Sequence, residues 1–329
     1  MLIGWLEKKN NFLYFSLHFI FFMDFKNRDV ISIDDFSKEE LLHIVENSTK
    51  IHSSMDKYHG LLSGKIMASL FFEPSTRTRL SFDSAMQRLG GSVIGFSDHQ
   101  TTSMSKGEST SDTVRVIDGY CDVIVMRHPT AGSVKFAADV AKNPIINAGD
   151  GANEHPTQTL MDLYTIKKAL GRLDGLSIGF VGDLKFGRTV HSLSKALSHF
   201  SPTFQFISTP SLSMPKEYLE KFKSKGIEYH EGQDLSKVAK KLDILYVTRI
   251  QRERFINSEE YEKVRGIYRL DKSFLKLASP QLKIMHALPR VDELNPHLDN
   301  EAQSIYFEQA HNGLPVRMAL LALILGKLS

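Results

Sequence analysis

The strongest constraint on the fold is a repeated alternation of short apolar runs with segments of helical periodicity. The runs lie at 66–72, 93–96, 123–126 and 144–147 in the first half, and at 176–181, 204–207, 244–248 and 283–286 in the second. Between the first two runs, apolar residues from Phe82 to Leu89 have the spacing of one helix face, and Gly90 ends that helix. Strand–helix alternation predicts parallel sheets covered by helices on both faces. Because the pattern runs twice, we predict two α/β domains, each with a doubly wound parallel sheet.

Helices of the second half are predicted at 188–200, 215–225 and 235–241. The chain ends in a segment, 314–328, that is apolar nearly all round, and such a helix should be buried. Sheets of this kind bind ligands beyond the carboxyl ends of their strands, and binding sites also occur at domain interfaces. The predicted places for a ligand are therefore the carboxyl ends of the strands and the interface between the domains.

Composition and motif spacing exclude several classes of protein. With 41 Lys and Arg against 38 Asp and Glu, the net charge of +3 is too small to predict a nucleic-acid coat. The one cysteine, Cys121, cannot form an internal disulfide or supply a zinc or iron–sulfur cluster, which favours a reducing, cytoplasmic setting. The histidines are scattered, so no metal site is predicted. The segment 60–65 lacks the spacing of a P-loop, and Gly179, Gly182 and Gly187 lack that of a dinucleotide site.

Residues 1–22 are predicted to be an extension outside the fold. An apolar run over 12–23 is about half the roughly 20 residues that span a bilayer, and Ser16 and His18 interrupt it. No small-x-small cleavage site of a signal peptide follows. We interpret Met23 as the natural start; an amphipathic arm and a targeting segment are the alternatives.

The segment 71–79, FFEPSTRTR, carries the strongest chemical signal. It lies where a predicted strand ends and a helix begins, and the free N–H groups and dipole of a helix start favour an anion. Ser75, Thr76 and Thr78 add hydroxyl donors, and Arg77 adds a charged fork. The alternative is an ordinary helix cap with solvated arginines, but a cap needs only one hydroxyl. The segment predicts a phosphate site.

A second helix start lies in the segment 147–158, where a glycine-rich loop follows a strand and Pro156 fits the first helical position. His155 and Gln158 are three residues apart, so both can face one cleft. The positive end of the helix favours a neutral imidazole, which can donate to a carbonyl oxygen. A capping histidine without a substrate is the alternative.

Polar residues follow the other strands as well. Arg127 and Arg188 come shortly after two of them, and the segment 286–290 ends another. Arg249 and Gln251 follow a fourth strand, and alternation places them on one side. A lone arginine such as Arg188 is more often a surface charge. Several arginines at one ligand-binding edge nevertheless predict a substrate with several negative charges.

Together these motifs resemble the aspartate/ornithine carbamoyltransferase family over nearly the whole chain. The STRTR motif at 75–79 and the HPTQ motif at 155–158 mark the family. The segments TRIQ at 248–251 and HALPR at 286–290 are similar to the members that act on aspartate. Members that act on ornithine carry a cysteine after the corresponding histidine, where this chain has Ala287.

The resemblance implies a carbamoyl-phosphate-binding domain of residues 23–155 plus 313–329 and an aspartate-binding domain of 156–312. It also implies an active site in the cleft between them and a C-terminal helix that packs back on the first domain. The roles it implies are phosphate binding for Ser75, Thr76, Arg77 and Thr78, carbonyl-oxygen binding for Thr78, Arg127 and His155, amino-group binding for Gln158 and the carbonyl of Leu288 beside Pro289, and carboxylate binding for Arg188, Arg249 and Gln251.

A loop with Ser103 and Lys106 is similar to a family loop that enters the site of the neighbouring subunit. The resemblance places Lys106 in the catalytic set with Arg77, Thr78, Arg127, His155 and Gln158. Glu73, Arg188 and Arg254 match residues whose ion pairs brace the closed arrangement of the two domains.

The resemblance implies carbamoyl transfer to L-aspartate, the step that gives N-carbamoyl-L-aspartate in pyrimidine biosynthesis. It implies no cofactor, a homotrimer with shared active sites and, in some members, a zinc-containing regulatory chain. No nucleic acid or membrane partner is expected. Two alternatives stay open, namely a transcarbamoylase for ornithine or another amine, and a non-catalytic scaffold that binds a phosphate ligand.

Overall fold

The computed structural model describes residues 23–98, 100, 102–255 and 257–328, so the predicted extension of 1–22 lies outside the described residues. Within these ranges, nine strands form two parallel sheets. The first sheet has the order β2-β1-β3-β4, with β1 (Ile66–Phe71), β2 (Ser92–Phe96), β3 (Val123–His128) and β4 (Ile145–Asp150). The second has the order β7-β6-β5-β8-β9, with β5 (Ser177–Val181), β6 (Thr203–Ile207), β7 (Glu228–Gly232), β8 (Ile244–Val247) and β9 (Lys283–His286). The prediction of two parallel-sheet α/β domains is confirmed.

Ten α-helices of the described residues connect and cover these strands, because parallel strands need crossover connections. They are α1 (Lys38–Ser53), α2 (Thr76–Arg88), α3 (Thr110–Asp118), α4 (Ser133–Val140), α5 (Pro156–Leu170), α6 (Arg188–Leu197), α7 (Lys216–Ser224), α8 (Ser258–Val264), α9 (Lys272–Leu275) and α10 (Tyr306–Ile324). The interior strands are almost wholly buried, and β8 is buried at every residue. Burial on both faces explains why these strands read as continuous apolar runs.

The C-terminal helix α10 packs against α1, against α5 and against α2, which itself covers β1 and β2 of the first sheet. From Val316 to Ile324 every residue is buried, as expected for a helix that is apolar on all sides. This confirms the predicted return to the first domain. The residue boundaries assigned to the two domains stay a prediction, because α5 packs both on α1 and β4 and on α6.

The start of α10 differs from the prediction. The helix begins at Tyr306 rather than at residue 314, and Pro315 lies inside it. The prediction covered only the part of the helix that is apolar nearly all round. The preceding turns carry polar residues, including Gln309 and Asn312, that are buried against other elements.

Two elements of the second sheet also differ. The strand β7 was not predicted, because it lies at the sheet edge and four of its five residues are exposed. The helix predicted at 235–241 is wrong: two short 3-10 turns, Leu235–Lys237 and Ala239–Lys241, occupy that segment. Val238 between them has φ of −112°, which is outside the helical range.

Candidate active site

A cavity of about 550 Å³ lies between the two sheets, at the carboxyl ends of their strands. Its walls include most of the residues predicted for the site, namely Glu73, Ser75, Thr76, Arg77, Thr78, Arg127, His155, Gln158, Arg188, Arg249, Gln251, Leu288 and Pro289. Of the predicted residues that the structure describes, Ser103, Lys106 and Arg254 do not line it. The fold thus brings together residues from segments up to about two hundred positions apart at the edge where parallel sheets bind ligands.

The first wall is the start of α2. Ser75 is the N-cap residue, yet among the described residues its side chain makes no capping hydrogen bond, and the first turn holds no acidic residue. The alternative of an ordinary serine cap is therefore not what this helix start uses. The N–H groups and hydroxyls of the turn provide donors for an anion.

Positive charge is concentrated beside this helix start. Arg77 is half-buried, and burial followed by the charge of Arg127 lowers the pKa of its guanidinium. Burial also lowers the pKa of Arg127, although the neighbouring Glu73 carboxylate acts in the opposite direction. Two cations that each disfavour the other are stabilised when an anion lies between them.

Glu73 connects two arginines of opposite walls. Its Oε1 lies 2.7 Å from Arg127 Nε and 3.8 Å from Arg188 Nη2. Arg188 also donates to the carbonyl of Gly151, and burial, followed by the charge of Arg127, lowers its pKa to about 10. One carboxylate for two guanidinium groups leaves a net positive charge at the centre of the cavity.

Gly149 allows the two arginines to approach the end of β4. Its φ is +117°, a backbone conformation that residues with a Cβ atom rarely adopt. A Cβ atom there would lie 3.2 Å from Arg188 Nη2 and 3.3 Å from Arg127 Nη1. A larger residue would strain the backbone and crowd both guanidinium groups.

His155 sits at the start of α5 and is 4% exposed. Burial is the largest cause that lowers its pKa well below 6.5, followed by the charges of Arg188, Arg127 and Arg317. The imidazole is therefore neutral at physiological pH. From the sequence only the helix dipole was expected to favour the neutral imidazole; the structure adds desolvation and the charges of three arginines.

The opposite wall carries the arginine and glutamine side chains expected to bind a second anion. Arg249 Nη1 donates to Glu253 Oε2 at 3.1 Å, and its second Nη forms another bond to the same carboxylate. This pairing is the main cause that raises the pKa of Arg249. Gln251 Nε2 donates to the carbonyl of Phe186 at 3.1 Å, which holds it near the start of α6.

The loop after β9 is held in an unusual backbone conformation. Leu288 has φ of +53°, and its peptide bond to Pro289 is cis. The N–H of Leu288 donates to His286 Nδ1 at 2.8 Å, and His286 Nε2 lies 2.7 Å from Glu293 Oε1. These contacts fix the loop at the rim of the cavity, where backbone carbonyls can accept hydrogen bonds.

The remaining predicted residues lie elsewhere. Ser103 and Lys106 form a short 3-10 turn that contacts α3, away from the cavity of their own chain. Arg254 is close enough to Arg188 for its charge to lower the pKa of that residue. Of the three residues expected to brace the closed arrangement, Glu73 and Arg188 form an ion pair, and Arg254 takes part in none of the ion pairs of the described residues.

Sequence reasoning missed two residues with a place in the site. Arg317 on α10 lines the cavity, is 3% exposed, and its guanidinium lies 5.0 Å from the centroid of the Phe82 ring. Asp162 on α5 lies behind the wall and is fully buried. The available signal was a charged residue inside an apolar helix, since such residues are rarely buried without a partner.

Among the described residues, no helix has the combination of length and apolarity that a membrane crossing requires. The same part of the chain contains no group of three or more His, Cys, Asp or Glu side chains arranged to hold a metal ion.

Residues 28–168 match the family model for the carbamoyl-P binding domain of aspartate/ornithine carbamoyltransferase, and residues 174–324 match that for its Asp/Orn binding domain. The aspartate carbamoyltransferase catalytic subunit of Thermococcus onnurineus is 55% identical over 308 residues, which cover 93% of this chain and 99% of that protein. The catalytic subunit from Methanocaldococcus jannaschii is 50% identical over 297 residues, covering 89% and 96%.

Solved structures of aspartate transcarbamoylases also match this chain. The catalytic subunit of M. jannaschii aspartate transcarbamoylase superposes with a TM-score of 0.84 at 49% identity, covering 89% of this chain and 96% of that one. Aspartate transcarbamoylase from Trypanosoma cruzi, in complex with carbamoyl phosphate and aspartate, superposes with a TM-score of 0.87 at 39% identity, covering 92% and 98%. By its sequence, its fold and the residues gathered in its cleft, this chain belongs to the aspartate/ornithine carbamoyltransferase family.

Proposed function

We propose that this protein is an aspartate carbamoyltransferase, which transfers the carbamoyl group of carbamoyl phosphate to the amine of L-aspartate. The products are N-carbamoyl-L-aspartate and phosphate. The observation that carries the proposal is a single cavity with a phosphate cradle at 75–78 on one wall and Arg188, Arg249 and Gln251 on the other. The name and bound substrates of the Trypanosoma cruzi relative support it.

The phosphate of carbamoyl phosphate binds at the start of α2. Ser75, Thr76 and Thr78 donate hydroxyl and backbone hydrogen bonds, and Arg77 supplies a full charge. As the carbonyl carbon is attacked, negative charge moves through the carbonyl oxygen to the leaving phosphate. The cationic helix start stabilises that leaving group without a covalent enzyme intermediate.

The carbonyl oxygen of the donor lies between Arg127, His155 and Thr78. A neutral imidazole can donate one N–H to this oxygen, so burial, which keeps His155 uncharged, serves the chemistry. Preorganised donors of this kind are typically worth about 3–4 kcal/mol each. Gln158 and the carbonyl of Leu288 accept from the amino group of the carbamoyl moiety.

L-aspartate binds through its two carboxylates to Arg188, Arg249 and Gln251. Glu253 leaves Arg249 when the substrate arrives, because both carboxylates compete for one guanidinium fork. Glu73, already paired with Arg127, holds Arg188 across the cleft, and Arg254 joins this brace on domain closure. Alignment of two substrates can contribute about 7–11 kcal/mol to lowering the barrier.

The active site is completed by a neighbouring copy of the chain, and the assembly is a homotrimer. The turn with Ser103 and Lys106 lies outside its own cavity and contacts α3, whose Val116 is 51% exposed. Ile94 on the edge strand β2 and Tyr120 after α3 are exposed as well, at 38% and 62%. These exposed apolar side chains are available to a neighbouring copy, whose cavity Lys106 then reaches. A regulatory chain could bind such a trimer from outside.

The test is an assay for N-carbamoyl-L-aspartate with purified full-length chain, carbamoyl phosphate and L-aspartate, with no added metal. L-ornithine is the matched alternative acceptor, since it replaces the second carboxylate with an amine. We expect turnover with aspartate only. Turnover with ornithine would favour the other branch of the family, and binding of carbamoyl phosphate without any turnover would favour the non-catalytic scaffold.

A further inference from the structure

Asp162 has no role in the proposed chemistry, yet its contacts reach both acceptors for the carbamoyl amino group. It lies one helical turn after Gln158 on α5, is fully buried, and does not line the cavity. Its Oδ1 accepts from Gln158 Nε2 at 2.9 Å and from Gln309 Nε2 at 2.7 Å. Its Oδ2 accepts from the hydroxyl of Tyr246 at 2.8 Å.

The first path leads to the side chain of Gln158. Asp162 Oδ1 accepts from Gln158 Nε2 in either protonation state, because the proton, when bound, belongs on Oδ2 beside Tyr246, so the amide of Gln158 turns its nitrogen towards Asp162. The amide oxygen is then the end that can face the cavity. An oxygen there accepts from an –NH₂ group, whereas the opposite orientation would place two donors against each other.

The second path leads to the backbone at Leu288. Gln309, anchored by its nitrogen on Asp162, accepts at its Oε1 from the backbone N–H of His286 at 2.8 Å. His286 in turn accepts from the N–H of Leu288 at Nδ1. One buried carboxylate therefore fixes the Gln158 amide and the loop that carries the Leu288 carbonyl.

We propose that Asp162 is a positioning residue that makes the site selective for a carbamoyl donor over an acyl donor of the same shape. The inference rests on the proposed function, because it assigns a substrate amino group to Gln158 and Leu288. An acyl group carries a methyl in place of the –NH₂ and gains nothing from two acceptors. Asp162 acts through these neighbours and touches no substrate.

The experiment compares two stable ligands by isothermal titration: phosphonoacetamide, with an amino group, and acetonylphosphonate, with a methyl group in its place. The quantity compared is the ratio of the two dissociation constants. We expect the wild type to bind the amide more tightly, and Asp162→Leu to reduce that ratio about tenfold, because about one hydrogen bond to the amino group is lost. Asp162→Asn keeps an acceptor oxygen for both glutamines and should retain most of it. Adding Asp162→Leu to Gln158→Leu should change the preference much less than Asp162→Leu does alone.

Thr165→Val is the matched structural control. Thr165 is buried one turn further along α5 and accepts from Asn312 of α10, so its loss perturbs the same helix pair. It should lower stability and leave the ligand preference unchanged. Gln309→Leu is the second variant, to be used if Asp162→Leu does not fold, and it should lower the preference several-fold through the Leu288 loop.

The inference is overturned if the folded Asp162→Leu and Gln309→Leu proteins bind both ligands with the wild-type ratio, or if Thr165→Val shifts that ratio equally. Failure of the proposed function is a separate result, because then the wild type itself makes no N-carbamoyl-L-aspartate. An active wild type with unchanged ratios in the variants rejects only the role of Asp162.

Discussion

At the scale of single residues, Arg249 offers the most direct test of the aspartate clamp. Arg249→Ala should raise the KM for aspartate by several orders of magnitude, because a buried substrate carboxylate would lose its partner, at a cost of several kcal/mol. The binding constant of carbamoyl phosphate should barely change, since its donors lie on the other wall.

The matched control for Arg249 is Arg252→Ala. Arg252 is exposed, lies three residues further along, and does not line the cavity. Steady-state kinetics with each substrate varied in turn measures both effects. An Arg249→Ala protein that loses both substrates equally would contradict the assignment of this residue to aspartate.

Asp162 should also leave a signature in the pH dependence of stability. Burial raises its pKa from 3.8 to about 7, against the effect of three donors. A carboxyl group whose pKa is higher in the folded state than in the unfolded chain stabilises the fold. The stabilisation is complete below the pKa of the unfolded chain and is lost as the pH rises through the folded-state pKa of about 7. Between pH 5 and 8 the wild type should therefore lose roughly 2–3 kcal/mol relative to Asp162→Asn.

Urea unfolding of both proteins at pH 5, 6, 7 and 8 measures this difference. The quantity to compare is the change in the free energy of unfolding of each protein with pH, so that other titrating groups cancel. A constant difference over the whole range would mean that Asp162 does not change its protonation state there.

At the scale of elements, the last turn of α6 is held by two ion pairs, of which the one to Glu154 is buried and the one to Asp34 is exposed on the Asp34 side. Lys195 Nζ lies 2.7 Å from both Glu154 and Asp34, and Glu154 also accepts from the hydroxyl of Ser192 at 2.6 Å. Burial alone would lower the pKa of Lys195, but the hydrogen bonds to its two carboxylate partners outweigh it and raise the pKa above the usual value. These contacts join α6, which begins with Arg188, to the turn after β4.

Lys195→Met should lower the free energy of unfolding by about 3–5 kcal/mol, because it leaves the carboxylate of Glu154 buried and unpaired. Adding Glu154→Gln should restore part of the loss. Lys135→Met is the control, since Lys135 pairs with Asp139 on the surface and its loss should have no measurable effect. Urea unfolding of the wild type, the two single lysine variants and the double variant measures these differences. Equal losses of stability in Lys195→Met and Lys135→Met would contradict the role of the buried pair.

The secondary-structure elements differ in how well the sequence predicts them. Buried parallel strands were predictable because burial on both faces leaves continuous apolar runs, and the site residues follow those runs directly. The edge strand β7 has no such run, since four of its five residues are exposed. A charged residue inside an apolar helix marked Asp162 and Arg317 as unusual, but the partners that define the roles of Asp162, Gln309 and Arg317 lie mostly on other elements. Their roles depend on the contact of α5 with α10, which no local pattern records.

At the scale of the whole molecule, two sheets face each other with their ligand-binding edges across one cavity. This follows from two α/β units in sequence and was predictable. The contribution of another copy of the chain was not derivable from periodicity, and it entered through the resemblance alone. It is consistent with the position of Lys106, outside the cavity of its own chain.

A hybrid experiment tests that contribution. Lys106→Ala and Arg77→Ala chains should each be inactive, because each lacks a charge for the phosphate. If each cavity takes its cradle from one chain and Lys106 from the next, a mixed trimer of either composition contains one intact site of three. Mixing the two chains should therefore regain about a third of the wild-type activity per mixed trimer.

The control mixes Arg77→Ala with Thr78→Ala, two changes in the same wall, and should regain none. Mass spectrometry of the intact assemblies verifies that mixed trimers form, and mixed trimers of the first pair without activity would rule out shared sites.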